Sequence, residues 1–180
     1  SAWIEYAPTY PSQHLGDKTR IDALLCWRNG GARLPVAVEI KLADRYVSRV
    51  IDLQGTPGYR RMWEHSDRWR HVNNERRLNQ FFRVHSLAES VAHAEGWQVS
   101  TDRPLLLLIH HALDPEATSV FAEYAGCLDR SSRASAATLT LSTFVDAMSA
   151  TASTEHQWAV ADRLRARYLR DGPAVLAHGN

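Results

Sequence analysis

Cysteine is scarce in this chain of 180 residues: only Cys26 and Cys127 are present, too few for a disulfide framework or a cysteine zinc site. A reducing, cytoplasmic setting is the expectation that follows. Long apolar runs are missing as well. The longest lies around Leu105–Ile109, far short of the ~20 residues that a bilayer-spanning helix needs, so a soluble protein with no membrane contact is expected. Neither sign of charge dominates, because 21 basic and 20 acidic side chains leave a net charge of +1, which neither demands nor excludes a nucleic-acid partner. There is no repeat, no low-complexity tract, no G-x-S-x-G elbow, no phosphate-cradling glycine-rich loop and no C-x-x-C pair. Serine-hydrolase, nucleoside-triphosphatase and thiol-redox chemistry therefore have no motif to rest on.

What is present suits one folded domain over residues 1–180, with 44% apolar and 23% charged residues, close to the globular average. Residues 1–7 and 20–28 read as strands. Asn29-Gly30-Gly31 is a tight-turn signal, and the run Pro35 to Leu42 reads as the partner strand of a hairpin. Gly55, Pro57 and Gly58 mark a loop, and helices are expected over 59–71 and 75–95, with Gly96 as a C-terminal stop. Leu105 to Ile109 reads as a strand buried on both faces. Asp114-Pro115 opens a helix to about Leu128, and residues 137–141 suggest a short strand. Ser142 or Thr143 is expected to cap one further helix and Ser153 a last one, in which Trp158, Ala161, Leu164 and Tyr168 form an apolar stripe opposite Arg163, Arg167 and Arg170. Strands early and mid-chain with helices around them give an α/β class with a mixed sheet.

Two features of the charge distribution stand out. Residues 59–83 hold seven arginines against Glu64, Asp67 and Glu75, interleaved with Tyr59, Trp63 and Trp69. Such a patch suits a phosphate backbone, or simply a solvated helical face with its aromatics buried. Lysine is also rare, Lys18 and Lys41 being the only two. Lys41 follows Glu39 by two residues, which on a strand puts both on one face with Val38 and Ile40 on the other.

The hairpin adds a second acid to that face. If Gly30-Gly31 form the turn centre, Asn29 faces Ala32 and Asp22 stands directly opposite Glu39. If the turn centres on Asn29-Gly30, Asp22 faces Ala37 and Glu39 is its diagonal neighbour. A bulge at Pro35 would turn one acid to the opposite face. Opposed carboxylates repel unless a cation lies between them or one takes a proton. Two acids and a main-chain carbonyl suit a hard ion such as Mg²⁺, for which Mn²⁺ can substitute, and a lysine beside it stabilises charge.

Asp22, followed seventeen positions later by Glu39-Ile40-Lys41, resembles the signature of the PD-(D/E)xK nuclease superfamily. The stretch Gly16 to Ala23, the run PVAVEIKL, Asn79-Gln80-Phe81-Phe82-Arg83 and the strand LLLLI are similar in order and spacing to small bacterial nuclease-like proteins of that group. The resemblance implies a restriction-endonuclease-like core, a mixed central sheet flanked by helices, and Mg²⁺-dependent phosphodiester hydrolysis of DNA by an endonuclease. It implies that Asp22 and Glu39 bind the ion, that the Ile40 carbonyl adds a ligand, and that Lys41 positions or activates water. Gln80 and Arg83 match supporting helix positions, and Glu5 stands as a further acidic member. Arg60, Arg61, Arg76 and Arg77 would then contact the nucleic-acid backbone, with a homodimer left open. Ile21 stands where the signature's name has proline, and Leu42-Ala43-Asp44 departs from the aromatic-acidic continuation of close relatives. Those departures raise the alternative of an inactive module of the same fold that binds nucleic acid or a protein partner.

The histidines read as structural. His110 and His111 are adjacent on a strand, point oppositely and cannot chelate together. His85 falls on the apolar side of a helix as a core residue. His14 precedes the Asp22 strand and is a minor candidate for approaching the site.

Overall fold

The computed structural model describes residues 1–42, 46, 49–72, 74–100 and 103–169. Five strands and five α-helices follow in the order β1 (Ala2–Tyr6), β2 (Ile21–Asn29), β3 (Ala32–Lys41), α1 (Pro57–Glu64), α2 (Arg76–Ala94), β4 (Leu106–His110), α3 (Ala117–Gly126), β5 (Ala136–Thr140), α4 (Leu141–Thr151) and α5 (Glu155–Tyr168). The sheet order is β1-β2-β3-β4-β5. The first three strands form an antiparallel meander, and β3, β4 and β5 run parallel. This is the expected mixed sheet in a restriction-endonuclease-like α/β fold.

Two apolar layers sandwich the sheet, as strand alternation requires. Leu24, Cys26, Ala37, Leu106 and Leu108 pack with Tyr59 of α1, Leu78, Phe81, Phe82 and Val91 of α2, and Phe121 and Tyr124 of α3. On the other face Ala23, Val36, Val38 and Ile109 pack with Leu141 and Val145 of α4 and Ala161 of α5. β4 is thus covered on both sides, which explains its unbroken apolar run. Among the described residues no helix is long and apolar enough to cross a membrane.

Several boundaries differ from the sequence reading, each for a local reason. The helix expected over 59–71 ends at Glu64. Beyond it the chain turns back so that Arg68 meets Glu89 of α2 at 2.8 Å and Trp69 bridges to Leu128. Thr140, rather than Ser142 or Thr143, caps α4, its hydroxyl accepting from Thr143 N–H, so β5 passes into the helix without a loop. Thr154 instead of Ser153 caps α5, in a reciprocal arrangement with Gln157. In α5 only Ala161 of the expected stripe is buried, and Trp158 is 47% exposed. Arg170 lies outside the described residues.

Candidate active site

The site begins with the turn. Gly30 and Gly31 have φ of 56° and 95°, the left-handed pair that a two-residue hairpin turn demands and glycine adopts without steric cost. They set Asn29 against Ala32, and the register holds through Cys26–Pro35 to Ala23–Val38, so of the two turn settings the first is realised. No bulge arises at Pro35. It sits two residues before Ala37, whose N–H points away from β2 to the Leu105 carbonyl, so a proline there removes no bond between β2 and β3.

One step beyond Ala23–Val38 the ladder gives way to a side chain. Continued alternation would send the Ile40 N–H to the main chain of Ile21. It donates instead to Asp22 Oδ2 at 2.7 Å. Asp22 is thereby held at the mouth of the hairpin, on the face that carries Glu39 and Lys41, while Ile40 turns its side chain to the other face and is 39% exposed.

Glu39 is 1% exposed and Lys41 8%. Lys41 Nζ lies 3.1 Å from Glu39 Oε1, and Gln80 Nε2 of α2 donates to the same oxygen. Oε2 is buried with no hydrogen-bond partner. Burial pushes the Glu39 carboxyl up to about 7, the Asp22 carboxylate adds to the rise, and Lys41 and Arg83 oppose it. A buried acid with one oxygen doubly satisfied, the other bare, and a second carboxylate close by suits a divalent ion of hard, oxygen-preferring character. Among the described residues no three His, Cys, Asp or Glu converge as a metal-holding group.

The helix residues act at two distances. Gln80 reaches Glu39 directly. Arg83 lies one turn further on and braces the segment that leads into β2: its Nε donates to Thr19 Oγ1 at 2.9 Å and stands 3.5 Å from Asp17 Oδ2, and its Nη1 donates to the Arg49 carbonyl at 3.1 Å. Asp17 in turn accepts from Tyr59 OH at 2.7 Å. Tyr59 reaches it because Gly58 abuts Leu15, whose carbonyl oxygen would lie 2.3 Å from an added Cβ. Asn79 grips Ile51, accepting from its N–H at 3.1 Å and donating to its carbonyl at 2.8 Å. The sequence reading gave no role to Asp17, Thr19, Tyr59 or Asn79. The only signal was that Asp17, Thr19 and Asn79 stand within the stretches that carry the family resemblance.

Other candidates are placed less centrally. Glu5 is exposed, with φ of 50°, between the pairs Ile4–Ala23 and Tyr6–Ile21, which is the register position across from Asp22. Arg60, Arg61, Arg76 and Arg77 are all exposed. Arg60 is 3.9 Å from Glu64, while Arg77 is tied to Glu123 at 2.7 Å and Glu75 at 3.2 Å. Arg68, one of the seven arginines of the basic stretch, is 5% exposed and belongs to the interior, which reduces the surface charge of that stretch. His85 is fully buried against Tyr124 OH at 2.6 Å, and burial drives its imidazole well below the usual range, the satisfied core histidine expected of it. His14 bonds Ser90 of α2 at 3.0 Å. His110 Nδ1 meets the His111 carbonyl at 3.0 Å. Ala43 and Asp44 lie outside the described residues.

Comparison with known proteins yields one family. Residues 1–170 match the PD-(D/E)XK nuclease superfamily. No curated protein and no solved structure matches the chain.

Proposed function

We propose that this chain, which belongs to the PD-(D/E)XK nuclease superfamily, is a divalent-metal-dependent endonuclease that hydrolyses phosphodiester bonds in DNA, with Asp22, Glu39 and Lys41 as its catalytic group. The observation that carries the reading is the bare, buried Oε2 of Glu39, raised in pKa by its own burial and by Asp22. Asp22, Glu39 and the Ile40 carbonyl would hold Mg²⁺, with Mn²⁺ able to replace it. Bound there, the ion supplies Lewis-acid chemistry, polarising a phosphoryl oxygen and lowering the pKa of water.

The chain's own residues do the rest. Asp22 is oriented by the Ile40 N–H, so its carboxylate is aimed before substrate arrives. Gln80 and Lys41 both occupy Glu39 Oε1, which leaves Oε2 as the ligand oxygen. The Lys41 ammonium orients the attacking water and offsets negative charge as the bond from water oxygen to phosphorus forms, the water's proton passes to solvent, and the ester bond breaks with the leaving oxygen taking a proton from solvent. Arg83 is a positioning residue that braces the approach to β2 through Thr19 and Asp17. Arg60, Arg61 and Arg76 supply backbone contacts, and Arg77 joins them on exchanging Glu123 for phosphate.

The test is incubation of supercoiled plasmid and single-stranded DNA with Mg²⁺, Mn²⁺ or EDTA. Cleavage that needs the ion and disappears in Asp22→Ala is expected. Cleavage that persists in Asp22→Ala overturns the assignment. Absence both of cleavage and of an Mn²⁺-induced rise in melting temperature would point to the inactive module instead.

A further inference from the structure

His110 and His111 are neighbours in the chain, yet their rings are satisfied in different ways. His111 Nδ1 accepts the Leu113 N–H at 3.1 Å, which leaves Nε2 to donate to the Tyr168 carbonyl at 2.9 Å. Both of its nitrogens are spent on the fold. His110 meets the His111 carbonyl through Nδ1 at 3.0 Å. A carbonyl only accepts, so Nδ1 carries the proton, and the neutral ring keeps a bare lone pair on Nε2. Among the described residues that nitrogen has no hydrogen-bond partner, although His110 is only 5% exposed.

The sheet sets His110 on the face that carries the acids. Leu106, Leu108 and Ala37 belong to one apolar layer, while Ile109 and Val38 belong to the other, so by alternation Glu39, Lys41 and His110 share a face. His110 is paired directly with Lys41 in the parallel β3–β4 ladder, about 4.8 Å away across the strands. Both stand at the carboxyl ends of their strands, where open α/β sheets bind their ligands. On its other flank His110 is paired with Thr140, whose hydroxyl is committed to the cap of α4. An attacking water needs an acceptor besides the Lys41 ammonium, which only donates. The other acceptors at this end of the sheet are taken. Asp22 and Glu39 Oε2 are assigned to the ion, and Glu39 Oε1 holds Gln80 and Lys41. Asp114, beyond β4, gives Oδ1 to the N–H groups of Glu116 and Ala117 and Oδ2 to the Tyr46 hydroxyl.

We propose that His110 is a further catalytic residue, whose Nε2 accepts a hydrogen bond from the attacking water that Lys41 orients, so that one O–H is held by the ring and a lone pair faces phosphorus. Bond making, bond breaking and the exit of the proton to solvent are those of the proposed hydrolysis, on which this role rests. Two measurements test it. In the nitrogen-15-labelled intact chain at pH 8 in EDTA, the imidazole resonances are assigned with His110→Gln and His111→Gln. They are expected to show His110 with its proton on Nδ1 and His111 with its proton on Nε2. In plasmid cleavage with Mg²⁺, His110→Leu is expected to lower kcat about 100-fold, with KM unchanged and the Mn²⁺-induced rise in melting temperature retained. His110→Gln, which places an amide oxygen near the position of Nε2, recovers kcat to within about tenfold of the wild type. Melting curves fix temperatures at which both variants are folded.

A proton found on His110 Nε2 removes the acceptor and overturns the role, whether or not the protein cleaves DNA. Unchanged kcat in His110→Leu, loss of the Mn²⁺-induced rise in that variant, or a His110→Gln variant as slow as His110→Leu each overturn it too. The two readings fail separately. Wild-type cleavage that His110→Leu matches defeats the role of His110 and keeps the nuclease, whereas a wild type that cleaves with neither ion defeats the nuclease reading and the role that rests on it.

Discussion

Glu39 in β3 and Glu89 in α2 are both almost fully buried, at 1% and 3% exposure, and each has a basic partner, yet their carboxylates are satisfied in opposite patterns. Glu89 spreads its partners: Oε2 takes Arg68 Nε at 2.8 Å and Oε1 takes Ser66 Oγ at 3.0 Å. Glu39 concentrates Lys41 and Gln80 on one oxygen and leaves the other bare. A second carboxylate, Asp22, adds to the repulsion there. Desolvating an ionised carboxylate costs several kcal/mol and is normally offset by filling both oxygens. On the proposed reading, the asymmetric pattern at Glu39 is that of a group kept open for a cation, while the even pattern at Glu89 is that of one closed for the fold.

Substitutions should split along that line. The largest effect is expected for Glu39→Gln or Asp22→Asn, each removing cleavage by on the order of a thousandfold and abolishing the Mn²⁺-dependent rise in melting temperature while the fold persists. Parallel nuclease assays and thermal melts check this. Glu89→Gln should do the reverse. It leaves Arg68 buried without its anion, destabilising the protein by about 3–5 kcal/mol in urea titration, with Mn²⁺ binding retained by the folded fraction. Loss of metal binding in Glu89→Gln at conditions where it is folded would erase the distinction.

A pH series sharpens it further. The Glu39 carboxyl is pushed up to about 7 from 4.5, so between those values the folded protein binds a proton that the unfolded chain has released. Without metal, this group's contribution to stability is present below 4.5 and is lost as pH rises toward 7, by about 3 kcal/mol at most. The Mn²⁺-induced stabilisation grows over the same window, because the ion and the proton compete for the carboxylate. Urea titrations of wild type and Glu39→Gln at pH 5 and pH 7.5 in EDTA isolate it, since the variant lacks that slope.

Gln80→Ala comes next. Freeing Oε1 of one donor should cost about 10–100-fold in metal affinity or activity, as outer-shell losses usually do, with little change in stability. The smallest effect is expected for Arg77→Ala, whose ion pairs with Glu75 and Glu123 are screened by solvent, so the midpoint of a urea titration should barely move.

The residues of the hairpin were legible because counting out from either glycine turn setting gathers Asp22, Glu39 and Lys41 on one face, and the structure realises the setting that centres on Gly30-Gly31, with no bulge at Pro35. The buried β4 was legible from its unbroken leucines. The end of α1 was not, since residues 65–71 keep a helix-compatible pattern, and the contacts they make on leaving the helix, Arg68 with Glu89 and Trp69 with Leu128, are with residues far along the chain. The work of Arg83 was also hidden. Its partners Asp17, Thr19 and the Arg49 carbonyl come from two loops distant in sequence, and nothing in spacing links them.

Local periodicity and turn chemistry, which act over a few residues, were enough to determine the α/β class and to narrow the β2–β3 register to two turn settings that, without a bulge at Pro35, both gather the acids on one face. Only tertiary packing decided how those acids differ, because hydration, donor count and the approach of Gln80 depend on α2 lying across the sheet. Whether a carboxylate oxygen is filled or left bare is set by neighbours far away along the chain, and no spacing rule between near residues encodes it.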